Sequence, residues 1–143
     1  MRRISNHFLV LLLLLVSCGK LKEITAPDGG GGEPIDPTAT LTRVQAEVFT
    51  PTCAALGCHD VLGHQENQIL TAGRSFANSV GVTSNQNPAL KRVAPGDPAN
   101  SYLYRKVTGS GITGDRMPQG GPFLNDAQIK LVRDWIRRGA PND

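Results

Sequence analysis

The sequence predicts an all-α domain with long loops, set behind an N-terminal targeting segment and a flexible linker. Three observations predict it. Stretches near both ends of the last hundred residues carry a helical hydrophobic period between recognisable caps. No stretch shows the sustained apolar–polar alternation of a half-buried strand. Of the 101 residues from 43 to 143, 18 are Gly or Pro, a proportion that implies many loops.

The first helix is expected from about Thr42 to Phe49. Thr42 and Gln45 have the spacing of a capping box, Val44 and Val48 share a face, and Pro51 should end the helix. A short helix is expected from Ser101 to Val107, capped by Asn100 or Ser101, with Leu103 and Val107 facing inward. The clearest helix is the last. Asn125 can N-cap it, and Gln128 can return the capping-box bond. Ile129, Val132 and Ile136 set the apolar stripe, which Leu131 and Trp135 widen. Arg133, Arg137 and Arg138 lie towards its C-terminal end, where cations suit the helix dipole, and Gly139 and Pro141 stop it. Between His59 and Ala99 the pattern is weak. Residues 78–98 read as loop, with Pro95-Gly96-Asp97-Pro98 a turn.

The N-terminus has a basic start, Met1-Arg2-Arg3, an apolar run of nine residues from Phe8 to Val16, and the small Ser17. This is the layout of a secretory signal peptide over residues 1–17. The run is well short of the roughly 18 residues that a membrane-spanning helix needs. Leu15-Val16-Ser17-Cys18 resembles the lipobox of bacterial lipoproteins. The resemblance implies cleavage before Cys18, lipidation of its thiol, and attachment to membrane lipid in the cell envelope, facing the periplasm or the cell surface. Gly19 follows the cysteine where an Asp would resemble an inner-membrane retention signal, so the expectation leans to the outer membrane.

Residues 18–42 read as a linker, with Pro27-Asp28-Gly29-Gly30-Gly31-Gly32-Glu33-Pro34 at its centre. The folded domain is then expected from 43 to 143. Loss of Arg2 and Arg3 with the signal leaves 13 basic against 12 acidic residues, and the formal net charge falls from +3 to +1. The basicity belongs to targeting, so no nucleic-acid partner is expected. Gly-x-Ser-x-Gly, His-Glu-x-x-His and phosphate-binding glycine loops are all missing from the sequence.

The remaining chemistry is concentrated in few residues: Cys53, Cys58, His59, His64 and the single internal methionine, Met117. Two thiols close in sequence, with a histidine beside the second, are what a haem attached through thioethers requires. The usual spacing is Cys-x-x-Cys-His; here four residues separate Cys53 from Cys58. The pair taken alone also suits a disulfide, which an exported protein forms readily and which would add about 2 kcal/mol. Zinc held by Cys53, Cys58, His59 and His64 is a third reading.

Farther on, Arg116-Met117-Pro118-Gln119-Gly120-Gly121-Pro122 precedes a helix ending Arg133-Asp134-Trp135-Ile136-Arg137-Arg138-Gly139-Ala140-Pro141. Together with Pro95-Gly96-Asp97-Pro98 and Ser101-Tyr102-Leu103-Tyr104, this resembles the cytochrome c-like domains of exported bacterial proteins, most of all the planctomycete type. The resemblance covers most of residues 43–143, and the cysteine spacing is where the chain departs from it. It implies one haem c, with Cys53 and Cys58 as thioether donors, His59 as proximal iron ligand and Met117 as distal ligand. It also implies an electron carrier rather than an enzyme, serving a redox protein partner, with the last helix packed on the first and closing one side of the haem crevice. Lys91, Arg92, Arg105 and Lys106 are candidates for a positive patch facing an acidic partner or a haem propionate, or else scattered solvated charges. The contrasting expectation is a haem-free envelope lipoprotein stapled by a Cys53–Cys58 disulfide, acting as a binding or structural module.

Overall fold

A computed structural model describes residues 32–143. The signal peptide at 1–17, the lipidation of Cys18 and most of the linker lie outside the described residues. Four α-helices are present: α1 (Leu41–Val44), α2 (Ser75–Ser79), α3 (Tyr102–Thr108) and α4 (Asp126–Arg137). A π-helical segment, Gln45–Cys53, continues α1. Among the described residues there is no strand, only isolated bridges such as Val80 with Val93, so the all-α expectation holds. No helix among them is long and apolar enough to cross a membrane.

α4 organises the core. Both halves of its capping box are made: Asn125 Oδ1 accepts from Gln128 N (2.9 Å) and Asn125 N donates to Gln128 Oε1 (3.1 Å). Leu131, Val132, Trp135 and Ile136 are buried, as the hydrophobic stripe requires. The Trp135 ring meets Phe49 edge-on at 6.3 Å between centroids, and its Nε1 donates to Pro141 O (2.9 Å). α1 and α3 both pack against α4. The Pro95–Pro98 turn reaches it too, since Gly96 N donates to Ile136 O (2.8 Å) and serves one of the helix's last carbonyls.

The first helix differs from its expectation at both ends. Its N-cap is Thr40, whose hydroxyl accepts from Arg43 N, and Thr42 instead donates through N and Oγ1 to Asp143 O (both 2.9 Å). Pro51 does not stop the chain. Its missing N–H removes one helical bond, and the coil widens to π geometry and runs on to Cys53, with Ala54 N donating to Phe49 O (2.8 Å). Glu47 O, the acceptor a residue at 51 would use in an α-helix, takes a bond from Gln128 Nε2 (2.9 Å). The α4 capping residue thereby ties the two helices where the proline interrupts the first.

Residues 33–40 were expected to be linker, yet they dock on α4. Asp134, fully buried, accepts from Asp36 N (3.1 Å) and pairs with Lys130 and with Arg133 (3.2 Å). Arg133 also reaches Glu33 (2.5 Å), and Arg137 Nη1 donates to Glu33 O (3.0 Å). Burial opposes the charge on Asp134, but hydrogen bonds from Lys130, Asp36 N and Arg133 outweigh it and hold the carboxyl below its usual range.

Candidate functional site

The cysteine segment leaves the π-helix and folds back on itself. Cys53 is the last residue of that helix; Cys58 N then donates to Ala55 O (2.9 Å), closing a β-turn. Gly57 occupies the third position of the turn with φ +81°, a conformation that glycine adopts without strain. The turn takes up most of the spacer between Cys53 and Cys58. His59 N then donates to Cys53 O (3.1 Å), tying the histidine to the helix end. Gly63 returns so close that a Cβ there would lie 2.3 Å from the Gly57 carbonyl carbon, which reserves the position for glycine.

Cys53, Cys58, His59 and Met117 all line one cavity of about 510 Å³. That volume lies within the roughly 300–1,000 Å³ usual for ligand and cofactor sites. Leu70, Tyr102, Leu103 and Val107 supply apolar wall. Met117 is brought there by its backbone: Met117 N donates to Lys106 O (2.9 Å), and the neighbouring Arg116 Nε donates to Val107 O (2.8 Å). α3 therefore carries both a wall of the cavity and the support for the methionine loop. The last helix was expected to close one side. It packs on the first as expected, but none of its residues line the cavity; α3 takes that place. Trp135 is wholly in the core.

The imidazole is oriented by main-chain carbonyls. His59 Nδ1 lies 3.2 Å from Gln68 O, and the Gln65 carbonyl also bonds the ring. A carbonyl only accepts, so a neutral ring that makes the Gln68 contact carries its proton on Nδ1. Burial lowers the His59 pKa from its usual value, which favours that neutral form. Gln68 is itself fixed, its Nε2 donating to the buried Ser79 Oγ (3.2 Å). Cys53 is half-buried, and that burial pushes its thiol pKa up. Cys58 is exposed, and both cysteines are free thiols. Thr52 Oγ1 lies 3.4 Å from Cys53 Sγ.

His64 is exposed and does not line the cavity. Among the described residues no three His, Cys, Asp or Glu side chains are grouped to hold a metal ion. The four basic residues weighed as one patch or as scattered charges are divided by the fold. Arg92 and Lys106 are buried and line the cavity. Lys91 Nζ donates to Thr83 Oγ1 (3.0 Å) and Arg105 Nε to Ala99 O (2.7 Å), and neither lines it.

A larger and more open depression of about 760 Å³ lies between α1, α2 and the last residues. Its walls hold no Cys, His or Met, and its one charged residue, Asp143, accepts from the N-terminus of α1 through Leu41 N (2.9 Å). The smaller cavity is the one with chemistry: two thiols, a thioether and a neutral imidazole, donors suited to a soft or borderline transition metal.

No family model, curated protein or solved structure matches this chain. The chemistry of the cavity therefore has to carry the functional reading.

Proposed function

We propose that this chain is a lipid-anchored, c-type haem-binding electron-transfer protein of the bacterial envelope, with a single haem ligated by His59 and Met117. One observation supports it above the others: Cys53, Cys58, His59 and Met117 line the same cavity although Met117 is remote from the other three in sequence. The donor set fits the group. A tautomer with its lone pair on Nε2 is the form in which a histidine binds iron, and the Gln68 carbonyl is the outer partner that orients such a ring. The soft thioether of Met117 favours ferrous iron and raises the reduction potential.

In this reading Cys53 and Cys58, both free thiols, would hold the group through thioethers, an addition of S–H across vinyl that requires no oxidant. When bound, the haem supplies reversible one-electron chemistry. His59 and Met117 would both hold the iron and leave no ligand position for a substrate, which suits a carrier serving a redox protein partner. Leu70, Leu103 and Val107 exclude water from one side of the group. Lipidation at Cys18 would hold the domain to a membrane surface, the outer membrane by the choice of Gly19.

A pyridine haemochrome spectrum of protein produced with the c-type maturation machinery tests the proposal, and a c-type spectrum with one haem per chain is expected. Colourless protein with the mass of an oxidised dithiol would instead favour the disulfide-stapled envelope module. Met117→Ala should retain the haem, lower its midpoint potential and admit exogenous ligands. An unchanged potential in that variant removes Met117 from the iron.

A further inference from the structure

Two cations face the cavity from within the protein. Arg92 is 6% exposed and Lys106 8% exposed, and both line it. Neither has a carboxylate within ion-pair distance among the described residues. Burying a cation without a counter-charge is costly, and native folds rarely leave it so. Arg92 is solvated by dipoles: Nη1 donates to Asn78 O (2.8 Å) and Asn67 O (3.1 Å), and Nη2 to Glu66 O (2.7 Å) and Asn85 Oδ1 (3.4 Å). Those oxygens engage four of its five N–H donors, and the carboxylate that acts on its charge, Glu66, does so from an exposed position. Lys106 is less well provided. Its ammonium has three N–H donors, of which one goes to Thr113 O (3.1 Å).

Glu66 and Asp115 also line the cavity, but both are exposed, so water screens them. Their oxygens accept from amides: Glu66 Oε1 from Gln86 Nε2 (3.4 Å) and Asp115 Oδ2 from Gln119 Nε2 (2.7 Å). The buried charge of the cavity is positive.

We propose that Arg92 and Lys106 are the counter-ions for carboxylate groups of the cavity's ligand; resting on the haem reading, these are the two propionates. Lys106 offers its unused donors to a carboxylate, and Arg92 supplies a fixed positive field whose position is set by four backbone and amide oxygens. A ligand that brings carboxylates gives Lys106 an ion-pair partner and adds, at Arg92, to the solvent-screened attraction of Glu66. Charge-assisted hydrogen bonds of this kind are among the stronger ones available to a protein.

The test separates this assignment from the haem reading. Full-length chain made without haem attachment is titrated with protoporphyrin IX, which has both propionates and no iron, and with its dimethyl ester. The acid is expected to bind about tenfold more tightly than the ester, the size of one charge-assisted hydrogen bond. Lys106→Gln keeps a donor for Thr113 O but loses the charge, and should remove most of that preference. Lys106→Arg should restore it. Equal affinity of wild type for acid and ester, or binding of neither, overturns the counter-ion assignment. Maturation to a c-type spectrum alongside equal affinities would leave the haem reading standing without these counter-ions. Colourless matured protein whose apo form still prefers the acid would leave an anion-binding cavity without the haem.

Discussion

The two halves of this molecule are built on different principles. One half, residues 33–50 with 126–143, packs helices around Trp135, Phe49, Val132 and Ile136, and its helix caps and several of its ion pairs, such as Arg43–Glu47 and Lys130–Asp134, follow local spacing. The other, residues 53–122, carries the cavity on one short α-helix, α3, and long loops. There the backbone is held by single buried polar groups: Arg92 gathers the carbonyls of Glu66, Asn67 and Asn78, and Ser101 Oγ accepts from Ala94 N (2.8 Å) and donates to Asp97 O (2.8 Å). The contrast teaches that a hydrophobic period can specify a scaffold, whereas the shape of a site is specified by a handful of hydrogen-bonding side chains.

Four substitutions can break or sharpen that contrast. Trp135→Ala strikes the centre of the packed half and should cost about 4 kcal/mol, read as a lower urea midpoint with both halves unfolding together. Separate transitions for the two halves would show that the division is one of stability as well as design. Arg92→Met strikes the loop half. It strands four oxygens and should cost about 3 kcal/mol, with amide exchange accelerated across residues 66–85 while α4 keeps its protection. Uniform acceleration, including α4, would erase the distinction.

Asp134→Asn tests the ionic contacts of the packed half and should cost about 2 kcal/mol at neutral pH. Because the folded-state pKa lies below the ordinary carboxyl value, the wild-type contribution is fully present above that unfolded value. It is lost as pH falls through the lower folded value. Thermal melts of wild type should therefore approach those of the variant only in strong acid, and a constant gap down to the lowest pH would contradict the carboxylate's role. Asn125→Ala removes one bond of the capping box and should cost about 1 kcal/mol, seen as a small drop in the urea midpoint with the cavity unaffected.

Legibility in the sequence follows the same division. α3 and α4 were readable because Leu103 and Val107, and Ile129, Val132 and Ile136, repeat at helical spacing; the expected cap is made at α4, whereas Ser101 stands at the N-cap of α3 with its hydroxyl turned to Ala94 N and Asp97 O. α2 was not, since Ser75-Phe76-Ala77-Asn78-Ser79 offers no period; its Ser75 is held by a long-range bond to Gln45 Oε1 (2.7 Å). The continuation past Pro51 was hidden because helix geometry there answers to Gln128, far along the chain. Residues 33–40 looked like linker by composition, and what docks them is Asp134, 98 positions beyond Asp36. Within the site, the residue types of Cys53, Cys58, His59 and Met117 announced themselves. Gln68, which orients His59 through a main-chain oxygen, left no signal at all, because any residue has a carbonyl. Arg92 and Lys106 read as members of a charged surface stretch; only the fold separates them from Lys91 and Arg105.

The docking of Glu33 and Asp36 on α4 has a mechanical consequence. Tension on the chain ahead of these residues enters the domain through Arg133, Arg137 and Asp134, on a helix that contributes nothing to the cavity wall. Were the chain anchored ahead of Glu33, its load would first reach α4, and not the segment bearing Cys53, Cys58 and His59.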